Sequence, residues 1–358
     1  MTKQNNKLKK DEKNTDILEN VENSLDSNKF EEKIGPGCAA ETIEIINDLN
    51  QKPIHQQLNL TKEDLIKALK LMMQARYTDE KHLNLVKQGK SFFHIGGSGH
   101  EGAQVAIALN LVPKKDWGWT YYRDLAFSYT MGYTPQDYFL LAFGKPEDPS
   151  TGGRQMPGHY GRKDLNLPTQ SSPTGTQYLN AVGTALAAKK DHTDEITYVS
   201  SGEGTTSEGE FYEAVNWASR EKLAVLFHIQ DNGYAISVPR ETQSSGTNVT
   251  HSFCAYSNLK MFTFDGSNFF ESYLAAKKAV DYMRSGKGPA LLHSLVERLL
   301  PHSSSDDQKK YRPLEELEAA KSKKDPIKNL SSYLLNNKLA TQEEIDNLYN
   351  QVVREVNE

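Results

Sequence analysis

Between residues 195 and 296 the chain alternates short apolar runs with amphipathic helical stretches, and nothing else in it restricts the fold so strongly. "EITYVS", "AVLFHI" and "PALLHSLV" have the length and the aliphatic content of strands buried on both faces. Between them lie a helical stretch near Glu210–Lys222 and another in "FESYLAAKKAVDYMRSG". Parallel neighbours need a crossover connection, so strand–helix–strand units of this kind imply a parallel sheet with helices on both faces. The expected class is α/β.

The flanking regions read differently. "TKEDLIKALKLMMQARYTDEKHLNLVKQG" predicts one long amphipathic helix: Thr61 is its N-cap with Asp64 three residues on, Leu65, Leu69, Met72 and Met73 share a face, and Gly89 lies past its end. "FFHIGGSGHEGAQVAIALNLV" reads as a glycine-rich loop entering an apolar helix, and Thr176–Lys190 as a helix of small residues. Residues 1–35 are rich in Asn, Lys, Glu and Ser and poor in aromatics, the composition of a disordered tail. The expected division is that tail, a helical segment over 36–90, an α/β domain over 91–312 and a polar helical extension over 313–358.

Charge and composition exclude several functions. The net charge is −5, and residues 1–50, with seven Lys against eleven Asp or Glu, account for −4 of it. The remainder is nearly neutral and offers no basic face, so nucleic acid is not expected as a partner. No apolar run approaches the roughly 18 residues of a membrane helix. "MTKQNNKLKK" has no hydrophobic stretch behind it and Arg is absent before Arg76, which argue against a secretory signal and a mitochondrial presequence. A cytoplasmic protein is expected. Cys38 and Cys254, far apart and in no CxxC, give neither a disulfide framework nor a zinc site, and read as two reduced thiols.

The chemistry concentrates in "SSGEGTTSEGEFYEAVNWASREKLAVLFHIQDNGYAIS", residues 200–237. Gly202 and Gly204 let the backbone turn sharply and approach a ligand. Ser207 with Glu210 is a capping-box pattern, so a helix should start there with its amides favouring an anion. The following strand ends in Asp231-Asn232-Gly233. Ligands of open parallel sheets bind at such strand ends, which brings Glu203 and Asn232 to the same edge. A carboxylate and an amide oxygen suit magnesium, which takes few protein ligands and completes its octahedron with phosphate and water oxygens. The expectation is a metal–diphosphate site. A GxG alone is more often a tight strand-to-helix turn; the second oxygen donor on the adjacent strand changes the balance.

This stretch resembles the thiamine diphosphate motif, usually written GDG…N. "YYRD", "GRQMPGHY", "SSPTGTQ", "GEGTTSEGEFYEAVNWAS", "DNGYAISVP" and "HSSSDDQKKYR" also occur in the order found in alpha subunits of 2-oxo acid dehydrogenases. The likeness runs from about Leu60 to the C-terminus, and GEG, "DNGYAIS" and "HSSSDD" lean toward the branched-chain (2-oxoisovalerate) type. The resemblance implies a three-layer thiamine diphosphate-binding fold with helical N- and C-terminal extensions. It also implies oxidative decarboxylation of a branched-chain 2-oxo acid, with acyl transfer to a lipoyl group. A pyruvate or acetoin dehydrogenase alpha subunit is the alternative within enzymes, and a non-catalytic cofactor-binding partner the alternative outside them.

By the same resemblance, Glu203, Asn232 and the Tyr234 carbonyl ligate Mg2+, and the Gly204 and Thr205 amides meet the diphosphate. Arg123 binds diphosphate oxygens through its guanidinium fork, its plainer alternative being a surface ion pair with Asp124. Tyr122 donates to the same phosphate, and Ser172 and Thr174 approach the aminopyrimidine. Ser171, Thr176 and Gln177 resemble a structural K+ loop, although an ordinary helix N-cap explains them almost as well. His302 is the expected catalytic residue, an imidazole able to exchange protons near neutral pH. Arg298 orients the His302 loop within the cofactor site, and Ser303, Ser304 and Ser305 are candidates for phosphorylation. About sixty residues follow "PALLHSLV", too few for a second α/β unit. In the family the acid that protonates the cofactor sits on a separate beta subunit. The expected partners are therefore a beta subunit, in an α2β2 heterotetramer, and the lipoyl-bearing transacylase.

Overall fold

The computed structural model describes residues 40–45, 52–243 and 248–358, so the tail expected over 1–35 lies outside the described residues. Six strands form one sheet: β1 (Glu41–Ile43), β2 (Trp117–Trp119), β3 (Thr197–Gly202), β4 (Val225–Asp231), β7 (Lys260–Asp265) and β8 (Ala290–Leu295). Their order is β1-β7-β8-β4-β3-β2, and every pairing is parallel. A separate antiparallel pair, β5 (Tyr234–Ala235) and β6 (Val238–Pro239), stands just beyond the end of β4.

Side chains alternate across a strand, and the central strands feed two cores in turn. Tyr198, Leu226 and Leu292 enter one core; Val199, Phe227 and Leu291, each the adjoining residue, enter the other. Both sets are fully buried, which is why these runs lack the polar alternation of a half-exposed strand. The first core is closed by helices Lys62–Lys87, Glu101–Ala108, Phe269–Arg284, Pro326–Asn336 and Gln342–Asn357. Helices Thr176–Lys190 and Gly209–Glu221 close the second. The result is the expected three-layer α/β arrangement, and the N- and C-terminal helices pack into the first core through Leu65, Leu69, Val352 and Val356.

Local capping signals held at some helix ends and failed at others. Thr61 and Asp64 form the reciprocal capping box of the Lys62–Lys87 helix, and Thr341 with Glu344 forms another ahead of Gln342–Asn357. Thr341→Ala should lower stability by about 1 kcal/mol, read as a shift in urea midpoint at unchanged m-value; an unshifted midpoint would deny the cap its role. Two expectations fail. Ser207 and Glu210 make no capping box: Glu203–Ser207 is a 3-10 turn, Glu208 takes an extended conformation, and the helix begins at Gly209 without a side-chain cap. The segment expected to be helical over 36–90 opens with strand β1, which pairs with β7 far along the sequence. The cysteine reading is overturned too: Cys254 is disulfide-bonded. Cys38 lies outside the described residues.

Candidate active site

The parallel register places Gly202 of β3 opposite Gln230 of β4, so the two strands end together and their next residues share one edge. Glu203 and Asn232 meet there, the Asn232 amide donating to Glu203 Oε2 at 3.2 Å. Glu203 Oε1 is buried and lacks a hydrogen-bond donor of good geometry, the neighbouring Gln243 amide being turned to Val238 O. A buried acceptor left empty costs free energy unless something else fills it. Burial, and then the charge of Asp231, push the Glu203 carboxyl up from its ordinary value. A cation placed here would reverse both effects. Asn232 Oδ1 accepts from the Tyr234 amide at 3.3 Å, an Asx turn that leaves the amide oxygen a second lone pair.

The turn carrying Asn232 is clamped from outside. Asp231 accepts from Arg240 Nη1 at 2.8 Å and lies 2.9 Å from His293 Nε2. Burial would raise the Asp231 carboxyl, but the His293 and Arg240 interactions outweigh it and hold the group well below the usual carboxylate range. The Arg240 amide also donates to Gly233 O at 2.9 Å, tying hairpin to turn. Gly204 is required by close approach: a Cβ there would lie 2.6 Å from Ala235 Cβ.

Across this edge is a cavity of about 360 Å3, lined by Tyr122, Arg123, Thr174, Glu203, Gly204, Thr205, Asn232, Tyr234 and His302 among others. With Gly202, ten sequence-predicted residues therefore share one space. Tyr121, Glu208, Ala235 and Ile236 also line it and were not singled out, although each lies inside one of the motifs quoted above, beside residues that were. Ser172 is not in the lining, and its hydroxyl instead lies 2.8 Å from His159 Nε2. Gln177, suggested for a cation loop, bonds to Gly175 and Ser200 backbone, which is helix-start packing.

Arg123 is 2% exposed, which rules out the surface ion pair with Asp124. Asp124 is itself buried and bonded to Ser200, Gln230 and the Tyr121 amide. The Arg123 guanidinium instead donates to Gly96 O at 2.5 Å, to His302 O at 3.1 Å and to His302 Nδ1 at 3.0 Å. Each of these partners is neutral. Arg298 is 1% exposed and donates to Ile236 O and the Tyr311 hydroxyl, while its Nε and Nη1 have no partner. Among the described residues neither guanidinium has a carboxylate within 4.0 Å. A buried cation without a counter-charge is costly, so the site is built for an anion.

His302 accepts from the first of these guanidiniums and feels the charge of both. Burial, then the charges of Arg123 and Arg298, push its imidazole down to about 4. The ring is thus neutral at physiological pH. Because Arg123 donates to Nδ1, the proton resides on Nε2. The Tyr122 ring lies edge-on to His302 at 6.2 Å and beneath Arg123 at 5.1 Å. The Asp306 carboxylate accepts from the His302 amide at 2.8 Å and from the Tyr311 hydroxyl at 2.6 Å, fixing the loop.

The family model described as "Dehydrogenase E1 component" matches residues 69–358. The chain is 38% identical over 304 residues to 2-oxoisovalerate dehydrogenase subunit alpha of Bacillus subtilis (strain 168), spanning 85% of this chain and 92% of that protein. It is 30% identical over 313 residues to the pyruvate dehydrogenase E1 component subunit alpha of Acholeplasma laidlawii, spanning 87% of each. It is 34% identical over 281 residues to the mitochondrial 2-oxoisovalerate dehydrogenase subunit alpha of Caenorhabditis elegans, spanning 78% of this chain and 64% of that protein.

Proposed function

The chain belongs to the dehydrogenase E1 component family, and we propose that it is the alpha subunit of a branched-chain 2-oxo acid dehydrogenase using thiamine diphosphate. The observation that carries the reading is the charge layout of one cavity: an unfilled carboxylate oxygen of Glu203 on one side, and the buried guanidinium of Arg123, with no acid to pair it, on another. A diphosphate bearing a divalent cation answers both. Greater identity to the 2-oxoisovalerate enzyme than to the pyruvate enzyme favours the branched-chain substrate.

The residues fit the group. Glu203, Asn232 and the Tyr234 carbonyl would hold Mg2+, with the Gly204–Thr205 turn, Tyr122 and Arg123 toward the phosphates and Thr174 toward the ring system. Arg298 supports the His302 loop and adds positive charge nearby. Bound thiamine diphosphate supplies the electron sink that 2-oxo acid decarboxylation needs. The chain's own contribution is to orient, to neutralise phosphate charge, and to present the neutral His302 ring with its proton on Nε2.

Apolar side chains exposed near the same strand ends, Ile236, Val238, Leu295 and Leu314, suit burial against a beta subunit. The proposed assembly is an α2β2 heterotetramer that passes its acyl product to a lipoyl-bearing transacylase. No helix among the described residues is long and apolar enough to cross a membrane, and a cytoplasmic location is proposed. The test is to co-purify the chain with its beta subunit and compare CO2 release from 2-oxoisovalerate and pyruvate, with thiamine diphosphate and Mg2+ supplied. Faster release from 2-oxoisovalerate is expected. A preference for pyruvate would reassign the substrate, and no release from a well-formed heterotetramer would end the dehydrogenase reading.

A further inference from the structure

The Lys62–Lys87 helix contributes no residue to the cavity lining, yet one of its carboxylates is wired to it. Asp79 is 2% exposed. Its Oδ2 accepts from the Gly97 amide at 2.8 Å and the Ser98 hydroxyl at 3.1 Å, and its Oδ1 lies 3.1 Å from His94 Nε2. A single buried carboxylate thus grips three points of the glycine-rich loop, with no Lys or Arg within 4.0 Å among the described residues. Three donors compensate the burial of its charge.

That loop in turn holds the two groups that matter most in the site. Gly96 O, one residue before the gripped Gly97, accepts the 2.5 Å bond from Arg123 Nη1. The His94 backbone makes a reciprocal pair with Ser304: its amide donates to Ser304 Oγ at 3.1 Å, and its carbonyl accepts from the Ser304 amide at 2.8 Å. Ser304 is two residues from His302. The packing leaves no slack, since a Cβ on Gly97 would lie 2.4 Å from Arg123 O and one on Gly96 would lie 2.8 Å from Asp79 Oδ2.

We propose that Asp79 is a positioning residue that sets Arg123 and the His302 loop relative to each other through loop 94–98. The proposal rests on the reading above for the identity of the ligand that Arg123 meets. Asp79 touches no ligand; it acts only through its neighbours.

A double-mutant cycle on cofactor affinity distinguishes this role from general stabilisation. In the co-purified heterotetramer, the Kd for thiamine diphosphate with Mg2+ is measured by quenching of tryptophan fluorescence for wild type, Asp79→Asn, Arg123→Lys and the double variant. Each single change should raise Kd by about 10-fold or more, the range seen when an outer hydrogen-bond partner of a ligand group is lost. If Asp79 acts through Arg123, the double variant falls short of the product of the two single effects by about 10-fold. Simple multiplication of the two effects would overturn the proposal. Should Asp79→Asn not assemble, Asp79→Glu replaces it in the cycle, keeping the charge while displacing the oxygens that hold Gly97, Ser98 and His94, and the same two outcomes decide. A wild-type heterotetramer that takes up no thiamine diphosphate would remove the proposed function and this inference together, whereas multiplication removes the inference alone.

Discussion

Glu203→Gln is expected to raise the Kd for thiamine diphosphate in the assembled enzyme by more than about 100-fold, because a direct metal ligand should cost at least the 10–100-fold lost with an outer-shell partner. The substitution keeps shape and the oxygen that meets the Asn232 amide, but removes the charge that a divalent ion needs. Its effect on the unliganded protein has the opposite sign. Burial and Asp231 raise the folded Glu203 carboxyl above its ordinary 4.5, so the protein favours the protonated acid. The stability from that preference is fully present below 4.5 and is lost as pH climbs through the raised folded value. Above it, wild type carries a buried charge that the amide variant lacks. The variant without cofactor should then melt at a higher temperature than wild type in alkaline buffer and gain far less from added cofactor and Mg2+, by differential scanning calorimetry. Metal affinity of wild type should also weaken as pH falls, since the proton competes for Glu203, and the Glu203→Gln variant, with no carboxyl to titrate there, should lose that slope. Equal cofactor saturation of the two proteins would sink the metal assignment.

How much of this could be read beforehand depended on how local the cause was. β3, β4 and β8 were legible because a strand buried on both faces announces itself as an unbroken apolar run. Glu203 and Asn232 were legible because adjacent parallel strands in register must end together, whatever else the chain does. The Thr61 cap depended on residues three apart. Strand β1 did not, since three residues take strand geometry only from a distant partner, β7. Ser207 failed as a cap because the turn after β3 continues through it, held by close packing of Gly204 on the hairpin. Ser172 turned to His159 rather than the cavity through a contact between residues of one folded loop. Asp79 was invisible for the same reason at longer range: on a helix it is one acid among several, and only the fold sets it against loop 94–98. Arg123 was expected at a phosphate, but the absence of any carboxylate beside it among the described residues, which is what gives the cavity its demand for an anion, is a property of the folded surroundings.

His302→Ala should lower turnover of the 2-oxo acid by about 10²–10⁴-fold, the usual contribution of a positioned acid–base group, with little change in cofactor affinity. The asymmetry follows from the bonds around Arg123. Its Nη1 keeps Gly96 O and its Nη2 keeps the residue 302 carbonyl, both backbone acceptors that the substitution leaves in place. Only the bond to Nδ1 disappears. A second signature lies in the acid stability of the heterotetramer. Burial and two guanidiniums bring the ring from its ordinary 6.5 down to about 4, so the stability tied to the neutral ring is present above 6.5 and is lost as pH falls through about 4. Wild type should therefore lose stability more steeply than His302→Ala between pH 6.5 and 4, by urea midpoints taken across that range. A variant that turns over substrate at the wild-type rate would show His302 to be a loop residue only. Lost turnover together with lost cofactor affinity would mean that the ring mainly supports Arg123, and the proton-handling role would have to move elsewhere in the cavity.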